Sequence, residues 1–309
     1  MKCFYHSADL DGHCSGALIK LRYPDCKMIP IDYGYNPNVW QLSYKPNETV
    51  FMVDFCLQPF TEMVELSELC HLIWIDHHKT SVENFEALKV PFKAKTFLNT
   101  NMAACMLTWA LLSVDLDEYR ALRDENLNQA PKWIRLLSKY DCWQDDDKMF
   151  WNGEILPFQY GLRSHETEPS SASGLLIWKQ LLNSSKELDD PNMLSLYEFV
   201  IIDDGNAILK YVEQTNAKKC KSLALETEIE GMKAICMNSG GGSKAFESVY
   251  DSKKHDLMIS FQWLPIGKWT VSLYATKPNV DVSEIAKKHG GGGHKSAAGF
   301  QCIHLPFFI

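Results

Sequence analysis

Four short apolar runs in the first eighty residues constrain this chain more than any other feature. They are Lys2–His6, Cys26–Ile31, Val50–Asp54 and His71–Asp76. Runs that are apolar almost throughout, rather than alternating, belong to strands buried on both faces. Together with helix-like stretches between them, they imply a parallel sheet covered on both sides. Crossovers between such strands are expected to be right-handed. Gly12–Leu21 reads as a helix opening after Asp11, and Phe60–Cys70 as another with Pro59 in its first turn.

Beyond the fourth run, Asn101–Leu112 is apolar on most sides and reads as a buried helix. Pro131–Lys139 reads as a helix running into Tyr140-Asp141-Cys142-Trp143, and Asp145–Asp147 as a solvated turn. Ser164–Ser173 is polar, contains Pro169, and reads as a loop; Ser184–Pro191 is a second polar break. Leu194–Cys220 reads as a long helix that bridges two lobes. After it the pattern restarts. Met232–Met237 is a strand, Ser239–Ser243 a glycine-rich loop and Lys244–Tyr250 a helix. Leu257–Trp263 and Trp269–Tyr274 form a hairpin through Pro265-Ile266-Gly267. Ser283–His289 is a helix with Ser283 as its N-cap, and a last strand lies near Gly299–Ile303. The expected fold class is α/β, with a parallel-sheet domain over residues 1–184, a helical linker over 185–220 and a smaller α/β domain over 221–309.

Composition narrows the partners. The 309 residues carry 31 Lys and Arg against 39 Asp and Glu, a formal charge of 31 − 39 = −8. Apolar residues make up 46%, which excludes intrinsic disorder. The acidic balance argues against a protein that coats long nucleic acid through a basic surface. It leaves room for a small anionic substrate wherever carboxylates gather around divalent cations, because the ions invert the local sign. No run approaches the roughly 18 consecutive apolar residues of a membrane span, so no membrane partner is expected. The N-terminus lacks a basic region followed by an apolar core, so no secretory signal is read there. The ten cysteines include no CxxC pair and read as reduced, mostly buried thiols, which points to the cytoplasm.

The chemistry sits at the strand ends. The first strand runs into His6-Ser7-Ala8-Asp9-Leu10-Asp11-Gly12, the third ends at Asp54, and the fourth at Asp76-His77-His78. Ligands of open α/β sheets bind at the carboxyl ends of the strands. Taken singly, Asp11 or Asp32 is a helix cap or a turn former, and a strand-end histidine is a solvated one. Three such clusters at successive strand ends bring four carboxylates and three imidazoles to one edge. Carboxylates that close repel, so cations or protons must compensate them. Oxygen with imidazole nitrogen suits Mn²⁺ or Mg²⁺, and also Fe²⁺ or Co²⁺, and the number of groups suits two ions.

These residues resemble a known family. His6-x-x-Asp9-x-Asp11-Gly12, the isolated Asp54 and Asp76-His77-His78 resemble the first three motifs of the DHH phosphoesterases, and Tyr140-Asp141-Cys142-Trp143 resembles the fourth. Gly290-Gly291-Gly292-Gly293-His294-Lys295 is similar to the GGGH signature of the associated C-terminal domain, and Asp281–Ala286 upstream also fits it. The opening Tyr5–Gly12 is most similar to the small oligoribonuclease (nano-RNase) branch. RecJ-type exonucleases share the motifs but are generally longer.

The resemblance implies a site in the cleft between the two domains, with two manganese ions; Mg²⁺, Co²⁺ or Fe²⁺ would be substitutes. One ion would take His6, Asp9 and Asp54, and the other Asp11, Asp54, His77 and Asp141. Asp76 would hydrogen-bond a ligand histidine, and His78 would face the substrate phosphate or the leaving oxygen. Asp11, Asp54, His77 and His78 are thus the implied catalytic set. Two cations about 3.5–4 Å apart can lower the pKa of a shared water and clamp a phosphodiester for in-line attack. Asp9, Asp11, Asp54, Asp76 and Asp141 carry −5 against +4 from two divalent ions, leaving the loaded centre near neutral. Gly291, Gly292, Gly293, His294 and Lys295 would bind the far end of the substrate through backbone N–H groups and positive charge. Arg163 is a further candidate for substrate contact, with His165 beside it. Cys14 and Cys56 read as packing thiols, and Trp143 as a residue able to stack a base. The function expected is hydrolysis of short oligonucleotides or dinucleotides to nucleoside monophosphates, with a homodimer admitted. Cyclic or linear dinucleotide signals or a 3′-phosphoadenosine phosphate are alternative substrates, and RecJ-like cleavage of single-stranded DNA is a lesser one. A nucleotide-binding module without catalysis is the rival of another class.

Overall fold

A computed structural model describes the chain except for residues 37, 114–128, 189 and 309. Two compact units form, Met1–Ile208 and Leu209–Ile309.

The first unit is built on a five-stranded sheet, order β2-β1-β3-β4-β5, in which every pairing is parallel. The strands are β1 (Lys2–His6), β2 (Lys27–Ile31), β3 (Thr49–Val53), β4 (His71–Asp76) and β5 (Lys95–Leu98). Four helices follow strands of this sheet: α1 (Leu10–Arg22), α2 (Thr61–Leu69), α3 (Lys79–Glu86) and α4 (Ala104–Ser113). Side chains alternate across the sheet, so its strands feed two separate cores. Phe4, Val50, Met52, Leu72 and Trp74 pack on one face with Met63 and Leu66 of α2. Cys3, Tyr5, Phe51, Val53, Ile73 and Ile75 pack on the other with Ile19 of α1 and Leu107 and Leu111 of α4. Burial on both faces is why these strands read as unbroken apolar runs.

Several elements differ from the sequence reading. β3 begins one residue earlier and ends at Val53, leaving Asp54 just beyond it. β5 and α3 have no counterpart among the expected elements, because KTFL is short and Lys79–Glu86 is largely polar. The stretch after Phe150 is helical: a π turn over Trp151–Ile155 runs into a helix over Leu156–Leu162. The sequence carries no clear helical signal there, because Gly153 and Pro157 weaken it, although proline is tolerated in a first helical turn. The loop expected over Ser164–Ser173 is cut short by Ser171, whose hydroxyl accepts from Gly174 N and caps a helix over Ala172–Lys186. The break at 184–191 includes residue 189, which lies outside the described residues.

The long helix spans Leu196–Leu223. A reciprocal cap opens it: Ser195 N donates to Glu198 Oε2 (2.7 Å) and Glu198 N donates to Ser195 Oγ (3.2 Å). It crosses the helix Leu156–Leu162 with the backbones nearly touching. A Cβ on Gly205 would fall 1.8 Å from the carbonyl oxygen of Pro157.

The second unit carries a six-stranded sheet, order β10-β11-β9-β8-β7-β6. Its strands are β6 (Leu225–Ile229), β7 (Met232–Asn238), β8 (Leu257–Leu264), β9 (Lys268–Tyr274), β10 (Gly292–Gly293) and β11 (Ala297–Cys302). Only the β7–β8 pairing is parallel. The hairpin turns at residues 265–267, with Trp263 opposite Trp269. Two expectations are corrected. The segment after Ser239–Ser243 forms a short 3₁₀ turn over Ser243–Phe246 rather than a helix to Tyr250. The helix expected from Ser283 runs over Val282–Lys288 and is capped by Asp281, whose carboxylate accepts from Ser283 N at 3.0 Å. All ten cysteines are free, and among the described residues no helix is long and apolar enough to cross a membrane.

Candidate metal centre

The carboxyl ends of β1, β3 and β4 lie side by side, and each is followed at once by acids or histidines. β1 delivers His6. The turn after it closes when Asp9 caps α1, its Oδ1 accepting from Gly12 N at 2.9 Å. Its other oxygen, Oδ2, faces His6 Nδ1 at 3.0 Å, so capping and site-building coexist in one side chain. Gly12 is required here, since a Cβ at that position would lie 2.1 Å from the His6 carbonyl oxygen. His13 secures the same turn, with Nε2 at 3.1 Å from the Ser7 carbonyl and Nδ1 at 2.9 Å from Thr167 Oγ1.

Asp54, the first residue past β3, is fully buried and adopts φ 55°. A non-glycine residue in the left-handed region is strained, and such strain collects at functional sites. Its two oxygens divide between two neighbours: Oδ2 lies 3.4 Å from His6 Nδ1, and Oδ1 lies 3.2 Å from His77 Nε2. The same His77 nitrogen lies 3.4 Å from Asp11 Oδ2 and 3.1 Å from Asp141 Oδ2. Asp141 is the last residue of a helix over Lys132–Asp141.

Asp11 is anchored from behind by α4. Ala104 N donates to its Oδ2 (2.8 Å) and Cys105 N to its Oδ1 (2.7 Å), so a helix N-terminus partly offsets its charge. Asp76 performs a comparable task at the end of β4. Its Oδ1 accepts from the amides of His77 (2.7 Å) and His78 (3.2 Å) and lies 2.8 Å from His78 Nδ1. Asp76 therefore orients both histidines.

Electrostatics follow from this crowding. Burial, with Asp54 and Asp141 nearby, holds the Asp11 carboxyl well above its ordinary range. Burial opposes the charge of His6, but Asp9, Asp32 and Asp54 outweigh it and raise its pKa. The same contest at His77 is won by Asp141 and Asp54, and at His78 by Asp76. Burial would lift Asp76, yet His78 and His77 bring it down to about 2. The site is a nest of negative charge that only protons or cations can balance.

Cations fit it better. Neither nitrogen of His6 and neither oxygen of Asp54 makes a hydrogen bond, although all four atoms are buried. Polar atoms left so in a protein interior are costly unless something else engages them. His6, Asp9 and Asp54 form one group whose ligand atoms lie within 4.8 Å of one another, and Asp11, Asp54 and His77 form a second. The two share Asp54. The donors are carboxylate oxygen and imidazole nitrogen, a set for hard or borderline divalent ions, and the arrangement fits two of them.

Of the residues singled out in the sequence, His6, Asp9, Asp11, Asp54, Asp76, His77, His78 and Asp141 come together at this edge. Arg163 is exposed in the same unit, its guanidinium 5.3 Å from the ring centroid of Tyr140, the neighbour of Asp141. Cys14 and Cys56 are buried, and Trp143 lies at φ 53° against Trp151. Gly291, Gly292, Gly293, His294 and Lys295 belong to the second unit. There β10 pairs with β11, Gly293 has φ 137°, and a Cβ on Gly291 would fall 2.0 Å from the Gly299 carbonyl oxygen.

Two neighbours of the site escaped the sequence reading. Asp32, read as a turn former, has Oδ1 3.4 Å from His6 Nε2. Cys142 places its sulfur 3.8 Å from His77 Nδ1. The first could have been found from the order of the strands, since it follows the strand beside β1; nothing in the sequence marks the second.

No family model and no curated protein matches the chain. Solved structures do. A pGpG-specific phosphodiesterase, PggH, from Vibrio cholerae is 13% identical, with 97% of this chain and 92% of that chain covered and a TM-score of 0.46. An exopolyphosphatase-related protein from Bacteroides fragilis is 13% identical over 98% of this chain and 87% of that one, at a TM-score of 0.47. RecJ from Thermus thermophilus, solved in complex with Mn²⁺, is 17% identical over 97% of this chain and 49% of that one, at 0.48. Likenesses this distant carry no functional argument.

Proposed function

We propose that this chain is a divalent-metal-dependent phosphodiesterase that hydrolyses short oligonucleotides or dinucleotides to nucleoside monophosphates. One observation carries the reading: the buried, strained and unbonded Asp54 carboxylate, shared between two groups of metal-ligating side chains. His6, Asp9 and Asp54 would hold one ion, and Asp11, Asp54, His77 and Asp141 the other. In this reading the ions are Mn²⁺, which accepts the mixed oxygen and nitrogen set, with Mg²⁺, Co²⁺ or Fe²⁺ as substitutes. When bound, such a pair supplies Lewis-acid activation of water and neutralises charge on the phosphoryl group.

The chain's own residues do the rest. The α4 amides hold Asp11 in one orientation. Asp76 fixes the ring of His78 through Nδ1, and in this reading His78 faces the substrate phosphate or the leaving oxygen. Gly291–Gly293, His294, Lys295 and Arg163 contact substrate phosphate in this reading, through the close backbone approach that glycine permits and through positive charge. Ten free thiols suit a reducing compartment, so we place the protein in the cytoplasm.

The test is product analysis on labelled di- to decanucleotides, with a cyclic dinucleotide and 3′-phosphoadenosine phosphate alongside, each with Mn²⁺, Mg²⁺, Co²⁺ and Fe²⁺ in turn. Rapid release of mononucleotides from dimers and trimers is expected. Faster turnover of the longest strands would reject the short-substrate reading. Tight nucleotide binding without turnover under any ion would reject catalysis altogether.

A further inference from the structure

We infer that Asp32 is a positioning residue for His6, holding the imidazole proton on Nε2 so that the Nδ1 lone pair stays on the side of Asp9 and Asp54. The inference rests on the reading of His6 as a metal ligand.

The sheet itself brings the two residues together. β2 runs parallel to β1 with His6 opposite Ile31, and Ser7 N donates to the Ile31 carbonyl at 3.0 Å. Asp32 therefore leaves the end of β2 beside the end of β1. Its Oδ1 lies 3.4 Å from His6 Nε2, while His6 Nδ1 lies 3.0 Å from Asp9 Oδ2 and 3.4 Å from Asp54 Oδ2. A neutral imidazole has one N–H and one lone pair, on opposite nitrogens. A cation held among Asp9, Asp54 and His6 needs the lone pair at Nδ1. The proton then belongs to Nε2, the nitrogen that faces Asp32. Metal-bound histidines commonly owe their tautomer and ring orientation to such an outer carboxylate.

The surroundings keep the ring in that pose. Tyr33 meets it edge-on at 5.7 Å between centroids, and Phe55 lies against it at 5.8 Å. The same Asp32 oxygen accepts from Tyr33 N at 2.6 Å, which fixes the carboxylate in turn. The Asp32 side chain is 53% exposed, so it stands outside the buried ligand group while touching it. His78 has a contact of the same kind, its Nδ1 2.8 Å from Asp76, whereas His77 Nδ1 faces a thiol, Cys142 Sγ, at 3.8 Å.

A turn-forming role alone would need only the bond to Tyr33 N, and the test separates the two roles. Mn²⁺ binding to the full chain is measured by titration calorimetry for the parent, Asp32→Asn, Asp32→Ala and His6→Gln. Asparagine keeps an acceptor for Tyr33 N but removes the charge. Nitrogen-15 histidine spectra of the Mg²⁺-loaded parent and Asp32→Ala proteins report the His6 tautomer. Asp32→Ala should weaken Mn²⁺ by about 10–100-fold and Asp32→Asn by less, as outer partners of metal ligands generally do. His6 should carry its proton on Nε2 in the parent and populate both tautomers in Asp32→Ala. If His6→Gln weakens Mn²⁺ binding while neither Asp32 variant does, the role of Asp32 falls and the metal reading stands. Weakened binding with an unchanged His6 tautomer would also overturn the inference, because Asp32 would then act on the ion's charge alone. If His6→Gln binds Mn²⁺ like the parent, His6 is no ligand and the inference falls with it.

Discussion

Asp54 combines a left-handed backbone, complete burial and two carboxylate oxygens without a hydrogen bond. Each of these alone opposes folding, so the position is held for its chemistry. Asparagine tolerates the same backbone and has the same shape, but lacks the charge that repels Asp11 and attracts cations. Asp54→Asn should therefore melt at or above the parent temperature without metal, and lose at least about 100-fold in Mn²⁺ affinity, the upper end of what even outer ligand partners contribute. Thermal melts and calorimetric titration check both halves; a variant that melts well below the parent would show that the carboxylate stabilises the fold. Gly12 makes the opposite case, where the demand is steric. Alanine there would press on the His6 carbonyl and should cost about 1–3 kcal/mol as overpacking, read from denaturant unfolding. The site was legible at this scale wherever a ligand sits at a strand end in the sequence itself, as Asp54 and Asp76-His77-His78 do. Asp32 was not, because its contact with His6 depends on which strand lies next to β1, and lateral order leaves no local mark.

Elements are joined at a few tight points, and these predict where the fold yields. The long helix and the helix Leu156–Leu162 approach so closely at Gly205 that any Cβ meets the Pro157 carbonyl. Gly205→Ala gains about 1 kcal/mol of helix propensity, but must force the two backbones apart. A net loss of roughly 1–3 kcal/mol is expected, with the unfolding midpoint as the readout. The start of β1 is tied differently, through Glu48. Lys2 Nζ donates to its Oε2 at 2.6 Å, the N-terminal amine lies 3.3 Å from Oε1, and Lys45 N donates at 3.1 Å. Lys2, with Lys45 N and the N-terminus, lowers the Glu48 pKa from 4.5 to about 2. The sign is fixed by linkage. A carboxyl depressed in the folded state adds stability that is complete above its unfolded pKa and disappears as pH falls through the folded one. Glu48→Gln should thus be less stable than the parent at neutral pH, and the gap should close between about pH 4.5 and 2 in acid-unfolding curves. A gap that persisted below pH 2 would show that packing, not charge, ties this corner. Elements were legible where period and length agreed, as in the strands of both cores. Trp151–Leu162 was not, because breakers inside a helix are tolerated when they fall at a π turn and a first turn.

The chain as a whole divides into a unit that carries the metal-ligating cluster and one that carries the glycine-histidine segment. Cation binding adds stability to whatever must be folded for the ligands to converge. At a concentration one hundred times its dissociation constant, a ligand that binds only the folded form adds about 2.7 kcal/mol. The gain should not be shared equally. The carboxylate and imidazole groups hang from the ends of β1, β3 and β4 and from the helix Lys132–Asp141, and α4 braces Asp11. Amide hydrogen exchange with and without Mn²⁺ should therefore slow most strongly at those strand ends and in the first turn of α4. The strands β6 to β9, all within the other unit, should exchange at nearly unchanged rates. Slowing spread evenly over both units would mean that the ions are held by something broader than the cluster around Asp54. Slowing confined to β6–β9 would place the metal outside it altogether. Because hydrogen exchange reads each segment separately, it locates the bound ions without requiring any turnover, and so tests the centre independently of the substrate it serves.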